Sequence, residues 1–271
     1  KVVNKNLLGR YKMLKRKQRR ILKLVDSENF NLSESYKMLR ANLEYSLTED
    51  KKVILITSSV PYEGKSTVAA NLSVFLSDIG YKVLLLECDL RTPQLHKFFN
   101  ISKLNGLTNI IVKNADINST IIEINSNLHI LCSGPTPPNP AELLGSKKMK
   151  YVVDALSNQY DYILMDTPPA SSLSDAVVLS PLATGIVLVI KYDSTPVELI
   201  KHTIDNFKNV NAKIIGTILS QVDTKKLGMY NKYNYNNSYK EVRSNIKKQK
   251  SRRQRIQKQE AQKQEVKKYK F

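Results

Sequence analysis

The sequence predicts an α/β protein: a doubly wound, mostly parallel β-sheet with helices on both faces. Three observations carry that expectation. Six short strand-like runs recur along the chain, and they are near-continuously apolar, as strands covered on both faces must be. Helical patterns separate them, and these are too long for hairpin loops, which implies strand–helix–strand units and parallel pairing. Acidic or phosphate-binding residues follow three of the runs, at the strand ends where open α/β sheets bind ligands.

In chain order, Leu32–Leu47 reads as an amphipathic helix with Ser33 as its N-cap. The first strand is Val53-Ile54-Leu55-Ile56, followed by a helix over Ser66–Ile79 and a second strand at Val83-Leu84-Leu85-Leu86. Leu128-His129-Ile130-Leu131 is the third strand, and a helix at Lys147–Gln159 leads to Tyr162-Ile163-Leu164-Met165. Ile186-Val187-Leu188-Val189-Ile190, a helix at Val197–Asn209 and a last strand within Ile214–Leu219 complete the set. No internal repeat of solenoid length is present.

A chain of 271 residues accommodates one sizeable α/β domain plus flexible ends. Its net charge of +19 sits wholly at those ends. Residues 1–25 carry ten basic and no acidic side chains, and residues 225–271 carry sixteen basic and three acidic ones. The stretch between them is net −4, which argues against a folded domain with a basic nucleic-acid cleft. Two basic arms suit an anionic membrane face or an acidic partner. Cys88 and Cys132 stand in apolar runs and read as buried, reduced thiols of a reducing cytoplasm. No apolar run reaches the roughly 18 residues that span a bilayer. A membrane segment before Lys1 is compatible with the sequence.

The strongest chemical signal is Ser58-Ser59-Val60-Pro61-Tyr62-Glu63-Gly64-Lys65-Ser66-Thr67, a loop between a buried strand and a helix. Backbone N–H groups of such a loop and of the helix start cradle phosphate oxygens. Lys65 then reaches the β- and γ-phosphates and the Ser66 hydroxyl helps to hold Mg²⁺. Ser59 stands in place of the usual first glycine. Two further strands end in acids, at Glu87-Cys88-Asp89-Leu90-Arg91 and at Asp166-Thr167-Pro168-Pro169. A carboxylate there holds Mg²⁺ or its waters, or accepts a proton from a nucleophile.

Together these motifs resemble those of the bacterial tyrosine kinases of capsule and exopolysaccharide synthesis. That family combines a Walker A loop, a second motif Asp-x-Asp-x-Arg and a Walker B ending Asp-Thr-Pro-Pro. Glu87 here replaces the first Asp. The segment Ser133-Gly134-Pro135-Thr136-Pro137-Pro138-Asn139-Pro140-Ala141-Glu142-Leu143-Leu144 is similar to the family's Gly-Pro-rich stretch. The family's Glu-x-x-Arg-x-x-Arg oligomer helix reads Glu34 to Arg40 here, with Lys37 at the first arginine. The likeness covers residues 33–239 and implies a P-loop NTPase fold using ATP and Mg²⁺.

It implies catalytic roles for Lys65, Glu87, Asp89, Arg91 and Asp166, and nucleotide contacts from Ser59, Pro61, Glu63, Gly64, Lys65, Ser66 and Thr67. Ser66, Asp166, Glu87 and Asp89 are the implied metal side chains. Ser220-Gln221 takes the place of an Asn-Arg pair near adenine, which makes Gln221 a nucleotide-contact candidate. The family autophosphorylates a C-terminal tyrosine cluster, represented here by Tyr230, Tyr233, Tyr235, Tyr239 and Tyr269.

The implied partners are the cytoplasmic tail of a transmembrane activator of polysaccharide chain-length control, further subunits in a ring, an anionic membrane surface and a cognate tyrosine phosphatase. The implied location is the inner face of the cell membrane. The division is a basic arm over 1–31, a P-loop kinase domain over 32–228 and a Tyr-containing basic tail over 229–271. The rival readings are a positioning ATPase of the same fold and a nucleotide-gated scaffold. The first disagrees with this loop, which lacks the early lysine of Lys-Gly-Gly-x-Gly-Lys.

Overall fold

The computed structural model describes residues 30–47 and 52–222. The basic stretches at both ends and the tail tyrosines lie outside the described residues, as does the boundary expected at 228. The first described helix, α1, spans Phe30–Ser46. Ser33 therefore lies inside it and is not its N-cap. Neither glycine nor proline stands at 30–32, so nothing stops the helical hydrogen bonding from reaching almost a turn further back.

Strand β1 (Lys52–Ser58) leads through a loop into α2 (Lys65–Asp78) and then β2 (Val83–Glu87). Three short helices follow, α3 (Leu95–Phe99), α4 (Leu107–Lys113) and α5 (Ile117–Thr120), and then β3 (Ile122–Glu123) and β4 (Leu128–Leu131). Next come α6 (Pro140–Leu144), α7 (Lys147–Ser157), β5 (Tyr162–Asp166) and α8 (Asp175–Leu179). A 3-10 turn at Ser180–Leu182, β6 (Gly185–Lys191), α9 (Val197–Lys208) and β7 (Ile214–Ser220) complete the described chain.

The strands form one sheet in the order β3-β4-β2-β5-β1-β6-β7. All neighbours are parallel except β3 and β4. All six predicted strands form. The two-residue β3 is an unpredicted antiparallel addition at one edge. Alternate side chains of each inner strand enter opposite layers. Ile54, Ile56, Val83, Leu85, Tyr162 and Leu164 pack against α1, α2 and α3 on one face. Val53, Leu55, Leu84, Leu86, Ile163 and Met165 pack against α4, α7, α8 and α9 on the other. At about 1.5–3 kcal/mol for each fully buried large aliphatic side chain, these two layers supply the main drive to fold. Cys88 and Cys132 are buried free thiols.

Parallel pairing sends every inner strand to the same end of the sheet. Register places Ile56 and Glu87 on either side of Asp166, and Lys191 beside Ser220. Among the described residues, no helix is long and apolar enough to cross a membrane.

Candidate active site

The loop over residues 59–64 joins the central strand β1 to α2 at this end of the sheet. It is tied to the segment after β5: the Thr167 amide donates to Ile56 O (3.1 Å), that of Ala170 to Ser58 O (2.8 Å) and the Thr57 hydroxyl to Pro168 O (2.8 Å). Tyr62 and Gly64 take left-handed backbone conformations, at φ 65° and 89°. At Gly64 that angle, rather than lack of room, is what calls for glycine, because a Cβ there would meet nothing closer than 3.5 Å. No side chain caps α2, so its first-turn amides are available to an anion.

Lys65 points its ammonium at Asp89, with Nζ 3.3 Å from Oδ2. Asp89 also accepts from the amide and the hydroxyl of Thr92, at 2.9 and 3.1 Å. Asp166 is 1% exposed, and neither carboxylate oxygen has a hydrogen-bond partner. Burial raises its pKa to about 7; Lys65 and the nearby Ser66 pull it down, while Asp89 and Glu87 push it up. The same burial drives the Cys88 thiol well above its ordinary range, with Asp166, Glu87 and Asp89 adding to it, so this thiol is inert.

Glu87 is differently engaged. One oxygen accepts from the amides of Gln94 and Leu95 (2.6 Å each) and the other from Ser133 N at 3.1 Å. Its extra methylene lets it tie β2 to α3 and to the Gly-Pro-rich segment. Arg91 forms a two-point ion pair with buried Asp175, Nε to Oδ2 at 2.9 Å and Nη2 to Oδ1 at 3.2 Å.

The loop crown is tied on its other side as well. Buried Glu63 accepts from its own loop at Val60 N (2.7 Å), from Lys191 N (3.1 Å) and from the Thr195 hydroxyl. The Ser220 hydroxyl donates to Glu63 O, and the Gln221 side chain donates to Tyr62 O at 3.1 Å. Beside these contacts lies a cleft of about 360 Å³, walled by residues 190–196 and by Leu219.

Lys65, Ser66, Glu87, Asp89 and Asp166 thus gather at one end of the sheet. Ser59 is buried with its hydroxyl unpartnered, Thr67 is half-buried, and Pro61 is exposed on the crown. Gln221 reaches the crown through the tertiary fold. The five tail tyrosines lie outside the described residues. Asp175 and Thr195 were not singled out by sequence reasoning: an acid at a helix start and a threonine in a loop carry no distinguishing pattern. Among the described residues, no group of three His, Cys, Asp or Glu side chains is placed to hold a metal unaided.

Residues 51–218 match the AAA domain family. Tyrosine-protein kinase YwqD of Bacillus subtilis is 38% identical over 222 residues, covering 81% of this chain and 92% of that protein. Tyrosine-protein kinase CpsD of Streptococcus agalactiae is 32% identical over 207 residues, covering 74% and 90%. Among solved structures, the kinase domain of the Escherichia coli tyrosine kinase ETK superimposes with a TM-score of 0.71 at 26% identity, over 74% of this chain and 80% of that one.

Proposed function

The chain belongs to the bacterial tyrosine-protein kinases, and from that premise we propose that it moves the γ-phosphoryl group of ATP onto tyrosines of its own C-terminal stretch, Tyr230, Tyr233, Tyr235, Tyr239 and Tyr269. In this reading it regulates the synthesis and export of capsular or extracellular polysaccharide. The observation that carries the site assignment is Asp166. A buried carboxylate with both oxygens unpartnered is costly, and it persists where a ligand satisfies it.

The residues present suit Mg²⁺, a hard cation that combines one or two protein oxygens with water and substrate phosphates. Ser66 and Asp166 would hold it. When bound, the ion neutralises charge on the β- and γ-phosphates. The loop amides and the start of α2 bind the phosphate oxygens. Lys65 exchanges its ion pair with Asp89 for the triphosphate, which leaves Asp89 Oδ2, then held only by the Thr92 hydroxyl, open to the incoming phenol. Tyrosine, with an ordinary pKa of about 10, then gives its proton to Asp89 as its oxygen bonds to the γ-phosphorus. The bond to the β-phosphate oxygen breaks, and ADP leaves. Glu87, with both oxygens engaged, holds Asp89's strand end in place. Arg91, anchored by Asp175, faces charge on the transferred group or a neighbouring subunit. The cleft beyond Glu63 receives the base, with Gln221 in its surroundings.

The family resemblance and the basic arms together support an activator's cytoplasmic tail, a ring of like subunits and an anionic membrane surface as partners. The same features support a location at the inner face of the cell membrane and a phosphatase that reverses the modification.

The test is incubation of the purified chain with Mg²⁺-ATP and the tail of its candidate membrane partner, with phosphotyrosine mapped by mass spectrometry. Phosphate on Tyr230–Tyr239 that falls at least about 100-fold in Lys65→Met is the expected result. ATP turnover without phosphotyrosine would overturn the reading in favour of a positioning ATPase, and binding without turnover in favour of a scaffold.

A further inference from the structure

A carboxylate inside a loop that binds a polyanion opposes its ligand, so Glu63 calls for a reason. Its surroundings supply one. The side chain is buried and spends its oxygens on three donors from two segments: Val60 N within the loop, and Lys191 N at the end of β6 with the Thr195 hydroxyl just beyond it. Lys191 and Thr195 are themselves walls of the 360 Å³ cleft. The β7 wall, Leu219, pairs with Ile190 of β6 and is followed directly by Ser220 and Gln221, which donate to the carbonyls of Glu63 and Tyr62. Both walls are therefore fastened to Glu63, and the second to Tyr62 as well. The strand register reinforces this, because Lys191 pairs with Ser220 across β6 and β7.

We propose that Glu63 is a positioning residue that fixes the distance between the phosphate loop and the cleft, so that a ligand carrying both a diphosphate and a nucleoside is held more tightly than a diphosphate alone. The inference rests on the reading that the base occupies this cleft. Glu63 touches neither half of the ligand. It acts through Thr195 and the Lys191 amide, which set the cleft wall, and through Val60, which sets the loop. Fixing the two half-sites in advance removes the ordering that binding would otherwise require, and that gain is available only to a ligand that spans both.

The experiment compares the affinities of the whole chain for ADP and for inorganic pyrophosphate by calorimetry with Mg²⁺ present. It uses the natural sequence, Glu63→Gln, Thr195→Val and the double variant, each checked by thermal melting. Thr195→Val leaves every charge in place, so it answers the question even if Glu63→Gln folds poorly. The expected result is a preference for ADP over pyrophosphate that falls about fivefold in each single variant, roughly the worth of one hydrogen bond. The double variant falls little further, because both substitutions weaken the same link, Glu63→Gln by removing the charge from the acceptor and Thr195→Val by removing a donor. Equal weakening of both ligands, or an unchanged preference, overturns the positioning role and leaves Glu63 a merely structural brace. If the natural sequence itself binds ADP no better than pyrophosphate, the placement of the base in the cleft fails, and this inference fails with it.

Discussion

Asp166 shows how one residue can set stability against function. Its folded pKa of about 7 lies above the ordinary carboxylate value of 3.8, chiefly because burial penalises the ionised form. The direction follows from linkage: its contribution to folding is fully present below about pH 4 and is lost as the pH rises through about 7. Asp166→Asn removes that loss, because asparagine never ionises. The expected outcome for the nucleotide-free protein is a melting temperature raised by at least about 3 °C at pH 8, with little difference at pH 4. Melting curves at the two pH values check it, and an equal shift at both would refute the assignment. The same substitution is expected to lower phosphotransfer by about 100-fold or more, a gain in stability at the expense of activity.

At the scale of elements, the Arg91–Asp175 pair joins the loop after β2 to the start of α8. Its two members are unequally placed: the Asp175 side chain is 1% exposed and that of Arg91 is 38% exposed. Arg91→Ala strands a carboxylate in the interior and is expected to cost about 3 kcal/mol. Asp175→Ala leaves a guanidinium that can turn to water and is expected to cost about 1 kcal/mol. Urea unfolding of the two variants measures the difference, and the reverse order would mean that Asp175 finds other donors. The elements most legible in the sequence were the long ones. Six strands and four longer helices show their apolar pattern in isolation. The short helices α3, α4, α5, α6 and α8 have four to seven residues each, fewer than two turns in every case, too few for a period to register. Local anchors hold some of them, such as Glu87 at the start of α3 and Asp116 capping α5.

For the whole molecule, charge and fold are separated along the chain. The stretch between the two basic ends is net −4, while those ends carry all of the excess in the net charge of +19. Juxtamembrane basic segments gain about 1 kcal/mol per residue near an anionic leaflet and are screened within about 10 Å at 0.1 M salt. The chain is expected to sediment with vesicles containing anionic lipid, to release as salt rises towards about 0.5 M, and to ignore neutral vesicles. Removing residues 1–25 and 225–271 should abolish the binding. Salt-independent binding, or binding to neutral lipid, would show that the arms serve another partner.

The α/β class, the order of six strands and four longer helices, and the three motifs at strand ends are all legible in the chain without its fold. Hydrophobic period and motif spacing are local properties, readable within a dozen residues. Which residues meet is settled by the winding of the sheet. Asp166 is an unpartnered buried carboxylate because two strands shield it. Glu87 became a brace because Ser133, 46 residues away, reaches its second oxygen. Glu63 is tied to Thr195 across 132 residues. Contacts between segments that far apart follow from how the sheet winds, and no local pattern in the chain encodes them.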